Sequence, residues 1–354
     1  MYIKKLLLFF LCFFLLIPRV YAYGYVVMDL DSGRIIASEN MNNRELIAST
    51  TKIMTCIIVL ENSNLDQKIK VGEEVLSMYG TNIYIEVGEE LSVKDLLYGL
   101  MLRSGNDAAI VLAVHTLGEE NFIQKMNEKA IEIGMNHTVF ANPHGLDDVS
   151  VNYSTAYDMA LLSRYAYQNS VYREIISTKK YVATSSLKTY VWNNRMSLIR
   201  QYNNCIGGKN GYTPKAGKSL VSYARKDKKT FTIVSLDDDS IYENHRRLYE
   251  KYFSLYDYYL IIDAKNFFIE RTFSSKELYL KKSFSYLLSK EEVDNVTTLV
   301  KLYPTTKNQK AGMIKIYLKG KEIGSLDIYE EKRIQRKKST FQKAWDFLWN
   351  RRKK

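Results

Sequence analysis

The stretch ELIASTTKIMTCIIVLE, residues 45 to 61, constrains the fold more than any other. Ile47, Ile53, Ile57, Ile58, Val59 and Leu60 read as a buried helix that the rest of the chain must wrap, yet Lys52 sits among them. A buried ammonium is costly unless it is compensated. The fold must therefore bring polar partners to Lys52 or strip it of its proton. Ser49 precedes it by three residues, and residues three apart on a helix share a face, so Ser49 Oγ and Lys52 Nζ can meet. Apolar neighbours favour the neutral amine. A neutral amine beside a hydroxyl can take its proton during attack on a carbonyl. At the start of a helix, the dipole would add to oxyanion stabilisation. Taken alone, Ser-x-x-Lys is a weak signal that recurs by chance and is more often a capping serine and a snorkelling lysine.

Around that helix the pattern is mixed. YGYVVMDLDSGRIIAS reads as a hairpin turning at Asp31-Ser32-Gly33. Helices are expected at about 49–61, 119–134 and 154–169, the last with Ser154 and Thr155 as candidate caps. Residues 92–116 read as two helices broken at Ser104-Gly105-Asn106. Strands return at about 206–213, 218–225 and 230–236, and a helix at about 240–257 follows. Strands thus open and close the segment while helices fill its middle. That predicts an α/β (α+β) domain with largely antiparallel pairing. From about 262 the runs NFFIERTFSS, ELYLKKSFSYLLS, TTLVKLYP and GMIKIYLKGKEIGSLDIYE alternate apolar with polar, which predicts a small β domain over 262–330. A chain of 354 residues suits two domains.

The ends carry other signals. MYIKKLLLFFLCFFLLIPRVYA has a basic start, an apolar run and a small-residue cleavage pattern, as a secretory signal peptide cut after Ala22 does. Export usually invites disulfides, yet Cys12 leaves with the leader and only Cys56 and Cys205 remain. Cys56, seven residues beyond Ser49, reads as a core thiol. His115, His137, His144 and His245 show no metal-ligand spacing, so no metal or other cofactor is expected. The leader accounts for +3 and residues 331–354 for +8 of the +12 net charge, so the body is close to neutral. The overall basicity therefore gives no reason to expect nucleic acid. On a helix, Ile334, Phe341, Trp345 and Leu348 line one face of the tail, with Lys and Arg on its flanks. No apolar run there is long enough to span a bilayer. The pattern predicts an amphipathic helix, over 331–354, lying on an anionic membrane surface.

Two further pieces change the weight of Ser49 and Lys52. SGN at Ser104–Asn106 puts a hydroxyl and an amide on a break between helices. GGKNGYTPKAGKSLV, from Gly207, puts Lys209 on a glycine-rich strand. Ser-x-x-Lys, Ser-x-Asn and Lys-x-Gly in that order form the set found in penicillin-binding proteins and class A β-lactamases. With ASTTK, SGNDAA, NPHGLDD and KNGYTPKAG, the mature chain closely resembles the low-molecular-mass penicillin-binding proteins of the serine D-alanyl-D-alanine carboxypeptidase type.

The resemblance implies a catalytic domain over 23–258 and, as partners, peptidoglycan stem peptides and β-lactams. It implies that Ser49 is acylated, Lys52 is its base, and Ser104 relays a proton to the leaving D-alanine. Asn106 would hold the substrate amide, and Lys209 would face the terminal carboxylate. The backbone N–H groups of Ser49 and Tyr212 would form the oxyanion hole. Arg195, in WNNRMS, is a candidate for the arginine that receives the carboxylate, and the segment from Asn210 and Gly211 to Thr213 would line the substrate. The third motif usually reads Lys-Thr-Gly, whereas here it is Lys209-Asn210-Gly211. Asn210 lacks the hydroxyl, although its amide still donates. Activity is expected to survive, with altered affinity. A class A β-lactamase would need a glutamate-bearing loop, and no Glu-x-x-Leu-Asn lies between Asn106 and Lys209. A D,D-endopeptidase or transpeptidase would use the same residues. A non-catalytic, membrane-attached wall-binding protein has only the Asn210 departure in its favour. The expected location is the outer face of the bacterial cell membrane.

Overall fold

A computed structural model of the protein describes residues 23–269, 277–307 and 310–330. The expected leader (1–22) and basic tail (331–354) lie outside the described residues. Two compact units divide at Ser254 and Leu255.

The first unit is built on a five-stranded antiparallel sheet. Its strands are β1 (Gly24–Asp29), β2 (Ile35–Glu39), β5 (Cys205–Thr213), β6 (Gly217–Lys226) and β7 (Lys229–Leu236), in the order β2-β1-β7-β6-β5. First and last strands therefore meet at the centre, Val26 opposite Val234, and β5 is left as an edge. Every residue of β7 is buried, because helices cover both faces. On one face Val26, Met28, Val221, Tyr223, Val234 and Leu236 join the main core. That core also holds α1 (Lys52–Asn62), α3 (Asn106–Leu117), α4 (Glu119–Glu132) and α5 (Ala156–Gln168). On the other face α7 (Ile241–Leu255) stacks Phe253 on Phe231.

The expected elements form, with informative differences. Ser49 sits not in the helix proper but in a 3-10 turn, Ala48–Thr51, that leads into α1. The break at Ser104 follows α2 (Val93–Tyr98) and a π turn, Gly99–Arg103. Thr155 caps α5 by accepting the Asp158 N–H at 3.0 Å. Unanticipated are α6 (Ser170–Ser177) and a hairpin of β3 (Lys180–Thr184) and β4 (Thr189–Asn193). The alternation in KYVAT and TYVWN is the signal that could have found the hairpin. Its inner side buries Ala183 and Trp192, while Val182 and Val191 face outward.

The second unit starts earlier than the sequence pattern suggests. The helix stops at Leu255, and the aromatic run that follows is a strand, β8 (Tyr256–Ile262), paired with β10 (Phe284–Ser289). A four-stranded antiparallel sheet completes the unit. It contains β9 (Leu278–Leu280), β11 (Val296–Lys307), β12 (Lys310–Leu318) and β13 (Lys321–Glu330), ordered β9-β13-β12-β11. Leu280, Ile314, Ile316, Leu326 and Ile328 form its core. The run NFFIERTFSS, expected as a strand, has no strand over its described part, 266–269; its remainder lies outside the described residues.

Candidate active site

Three segments converge beside the edge strand β5. The first is the turn at Ser49. Ala48 holds a left-handed backbone (φ +44°), which is uncommon for a residue with a side chain. Gly145 packs directly over it. A Cβ on Gly145 would stand 2.0 Å from the Ala48 carbonyl oxygen, and its φ of +87° also favours glycine. Gly211 of β5 approaches from the other side: a Cβ there would lie 2.9 Å from the Ser49 nitrogen. Strand backbone and the Ser49 N–H are brought together because this position is glycine.

Lys52 is fully buried at the start of α1. Its Nζ lies 3.0 Å from Ser49 Oγ, 2.7 Å from Asn106 Oδ1 and 2.5 Å from the His144 carbonyl. Burial holds its pKa well below the ordinary lysine value, and the neighbouring Lys209 charge adds to this. A neutral amine has two N–H groups and one lone pair. The two carbonyl oxygens, of Asn106 and His144, can accept the two N–H groups, which leaves the lone pair for the Ser49 hydroxyl. Asn106 is itself oriented, because its Nδ2 donates to the Tyr79 carbonyl at 2.7 Å.

Ser104 ends the π turn in a left-handed conformation (φ +67°), a strained placement that turns its side chain toward the strand. Lys209, also buried, donates to Ser104 Oγ at 3.1 Å and to the Asn210 carbonyl at 2.6 Å. Burial first, then the Arg195 charge, lowers the Lys209 pKa to about 7. Arg195 reaches Thr81 Oγ1 at 3.3 Å, and its N–H donates to the Leu102 carbonyl. Asn210 is half-buried on the edge strand, and Tyr212 is exposed.

Thr213 stands apart from this group. Its hydroxyl donates to Asp147 Oδ2 at 2.5 Å and accepts from the Ala216 N–H at 3.0 Å. With its one proton committed, it clamps β5 to the loop of Asn142–Ser150 rather than offering a donor to a ligand. That loop is what residue-type reading missed. His144 enters through its main chain, and burial and the Lys52 charge lower its imidazole pKa to about 3, so the ring is neutral. Its Nδ1 accepts from the Leu146 N–H at 3.1 Å. A carbonyl contribution leaves no trace in residue identity; only NPHG, as a tight polar loop, pointed there.

The chain is similar to known proteins over most of its length. A family model described as D-alanyl-D-alanine carboxypeptidase matches residues 16–240, and one for the C-terminal domain of penicillin-binding protein 5 matches 272–336. The D-alanyl-D-alanine carboxypeptidase DacF of Bacillus subtilis is 35% identical over 212 residues, which is 58% of this chain and 54% of that protein. The chain thus spans about half the length of that relative. A D-alanyl-D-alanine carboxypeptidase of Streptomyces sp. K15 is 34% identical over 63% of this chain and 83% of its own length. The crystal structure of the carboxypeptidase DacD from Francisella tularensis superposes with a TM-score of 0.71 at 26% identity, covering 89% of this chain and 94% of that one. With the family model matching well over half of its residues, the chain belongs to the serine D-alanyl-D-alanine carboxypeptidase family and is a low-molecular-mass penicillin-binding protein.

Proposed function

We propose that the protein removes the terminal D-alanine from peptidoglycan stem peptides through an acyl-enzyme on Ser49. The observation that carries this is the contact of Ser49 Oγ with a buried lysine whose two other partners are both carbonyl oxygens. Lys52 takes the Ser49 proton as Oγ attacks the carbonyl of the penultimate D-alanine. The N–H groups of Ser49 and Tyr212 receive the oxyanion, which the close approach of Gly211 to Ser49 supports. Lys52 then returns that proton through Ser104, which gives its own to the leaving amine and takes the one from Lys52, so that D-alanine departs and Lys52 is neutral again. Lys209 holds the Ser104 hydroxyl in place. Water then hydrolyses the ester, with Lys52 again as base. Lys209 and Arg195 provide the positive field for the substrate carboxylate, with Asn210 beside them; an arriving carboxylate favours the charged form of Lys209.

β-Lactams present the same carbonyl and acylate the same serine. Incubation with a defined pentapeptide should release free D-alanine, and Ser49→Ala should release none. No D-alanine from the wild type, together with no acyl-enzyme by mass spectrometry, would favour a non-catalytic wall-binding protein instead. The leader and the basic aromatic tail are taken to export the enzyme and hold it on the outer membrane face. Deletion of residues 331–354 should release it from membranes, and a truncated protein that stays bound would refute that role.

A further inference from the structure

The loop that positions Asn106 continues into a groove that the mechanism does not use. The Asn106 N–H donates to the Thr81 carbonyl, and the next helix residue, Asp107, accepts the N–H groups of Ile83, Tyr84 and Ile85. Directly beyond lies a groove of about 390 Å³ whose lining includes Leu76, Asn82, Tyr84, Glu86, Val87 and Lys188.

Tyr84 is its unusual member. Its backbone is left-handed (φ +62°), a genuine outlier for so bulky a residue. It is fixed at both ends: its N–H donates to Asp107 Oδ2 at 2.7 Å, and its carbonyl accepts from Lys188 Nζ at 3.2 Å and Tyr190 OH at 3.3 Å. The ring, meanwhile, is left in solvent, 73% exposed, as is Leu76 at 73%, and Val87 is also exposed. A strained, tightly held backbone that presents an unburied aromatic is not explained by packing.

We infer that this groove is a glycan subsite, binding the amino-sugar strand to which the stem peptide is attached. This rests on the carboxypeptidase reading of Ser49. A sugar ring has an apolar C–H face and a rim of hydroxyl and amide groups. Tyr84, Leu76 and Val87 offer the matching apolar surface, and Glu86 and Lys188 offer polar groups for the rim. Glu86 and Lys188 form an ion pair with each other. The other charged group of the lining, Asp107, is buried with its oxygens taken up by the N–H groups of Ile83, Tyr84, Ile85 and Ala108. No lining side chain therefore holds out an exposed, unpaired charge to an ionised stem residue. That favours a neutral ring over the peptide's own carboxylates and amines.

The test compares a free pentapeptide with the same pentapeptide on a disaccharide or longer glycan. Wild type should favour the glycan-linked substrate in kcat/KM. Tyr84→Gly suits the left-handed backbone, so it removes the ring without forcing the loop to refold. It should lower that preference about fivefold, while free-peptide hydrolysis and the rate of penicillin acylation stay unchanged. Tyr84→Phe should retain the preference. An equal fall on both substrates would make Tyr84 a support for Asn106 and overturn the subsite. So would a preference that follows the charge of the stem residues instead of the presence of sugar. Titration with a peptide-free N-acetylglucosamine oligomer, followed by NMR, separates the two readings. An enzyme that cleaves neither substrate refutes the carboxypeptidase assignment. Glycan binding then stands if wild type and Ser49→Ala bind the oligomer while Tyr84→Gly does not, and falls if all three behave alike.

Discussion

The two faces of the central sheet each carry a serine hydrogen-bonded to a buried base. On one face Ser49 Oγ lies 3.0 Å from Lys52 Nζ. On the other Ser222 Oγ lies 2.7 Å from His245 Nδ1, with Ser235 Oγ 2.9 Å from Nε2 and Tyr249 OH 2.9 Å from Ser222. By distance alone the second pair is the better nucleophile and base. Burial lowers the pKa of both bases, so neutrality does not separate them either. Access does. Ser222, Ser235, His245 and Tyr249 are all buried, and both ring nitrogens are engaged, so the imidazole can neither turn nor meet a substrate. Ser49 is half-exposed, with a strand edge, a second hydroxyl and a second lysine beside it. The same pairing is chemistry where a carbonyl can enter and a structural tie where none can.

The largest effects should test this directly. Ser49→Ala should lower D-alanine release by about four orders of magnitude or more and abolish labelling by a fluorescent penicillin. Ser222→Ala, assayed well below its unfolding temperature, should keep both. Loss of labelling in a folded Ser222→Ala protein would erase the distinction between the two faces.

Lys52→Met should reduce acylation by about 10²–10⁴-fold, the range of a lost general base. It should also alter the pH dependence of stability. The folded pKa of Lys52 lies well below the ordinary lysine value of 10.5, so the unfolded chain binds the proton first as pH falls from that value. Stability then rises with pH between the folded pKa and 10.5. In urea melts at increasing pH, wild type should therefore gain on Lys52→Met toward pH 10. A gap that stays constant would mean that Lys52 keeps its proton in the fold and cannot serve as the resting base.

Much of the site was legible because its side chains recur in a fixed order along the chain. Ser49, Lys52, Ser104, Asn106 and Lys209 meet as their spacing and order suggest. What stayed hidden acts through backbone or through long-range pairing. The carbonyl that completes the Lys52 shell belongs to His144, and a main-chain contribution leaves no mark on residue type. Thr213, placed by sequence among substrate contacts, is claimed by Asp147, 66 residues earlier in the chain. His245 lies in the helix expected at 240–257, and what buries it are strand residues Ser222 and Ser235, partners that helix periodicity cannot reveal. In the second unit the alternating pattern gave the sheet, but the aromatic run at 256–262 was legible equally as the end of a helix.

His245 offers an intermediate effect, confined to stability. His245→Leu should cost about 2–3 kcal/mol at neutral pH, since the Ser222 and Ser235 hydroxyls lose a buried partner, with penicillin acylation unchanged. Burial lowers the His245 pKa to about 3, from 6.5 in the unfolded chain. The stability of the neutral ring is thus fully present above pH 6.5 and is lost as pH falls toward 3. The gap between wild type and His245→Leu should narrow over that interval. The His144 contribution has the same direction in both proteins and cancels. A gap that widens on acidification would mean that the ring is protonated between its two serines.

The smallest effect belongs to Asn210→Thr, which restores the usual third motif. Residue 210 lies on the edge strand β5, and the Lys209 ammonium reaches it only through the backbone carbonyl, at 2.6 Å. The exchange therefore leaves the Lys209–Ser104 link in place and changes one donor, an amide N–H for a hydroxyl. Thr213 cannot cover for it, since its proton is already given to Asp147. The change should raise the acylation rate constant for penicillin, and kcat/KM for a pentapeptide with a free carboxylate, by about two- to tenfold, the scale of one improved hydrogen bond. A substrate with its terminal carboxyl amidated should show no gain. An equal gain on both would place residue 210 in the stiffness of the strand, away from the carboxylate, and would move anion recognition wholly to Lys209 and Arg195.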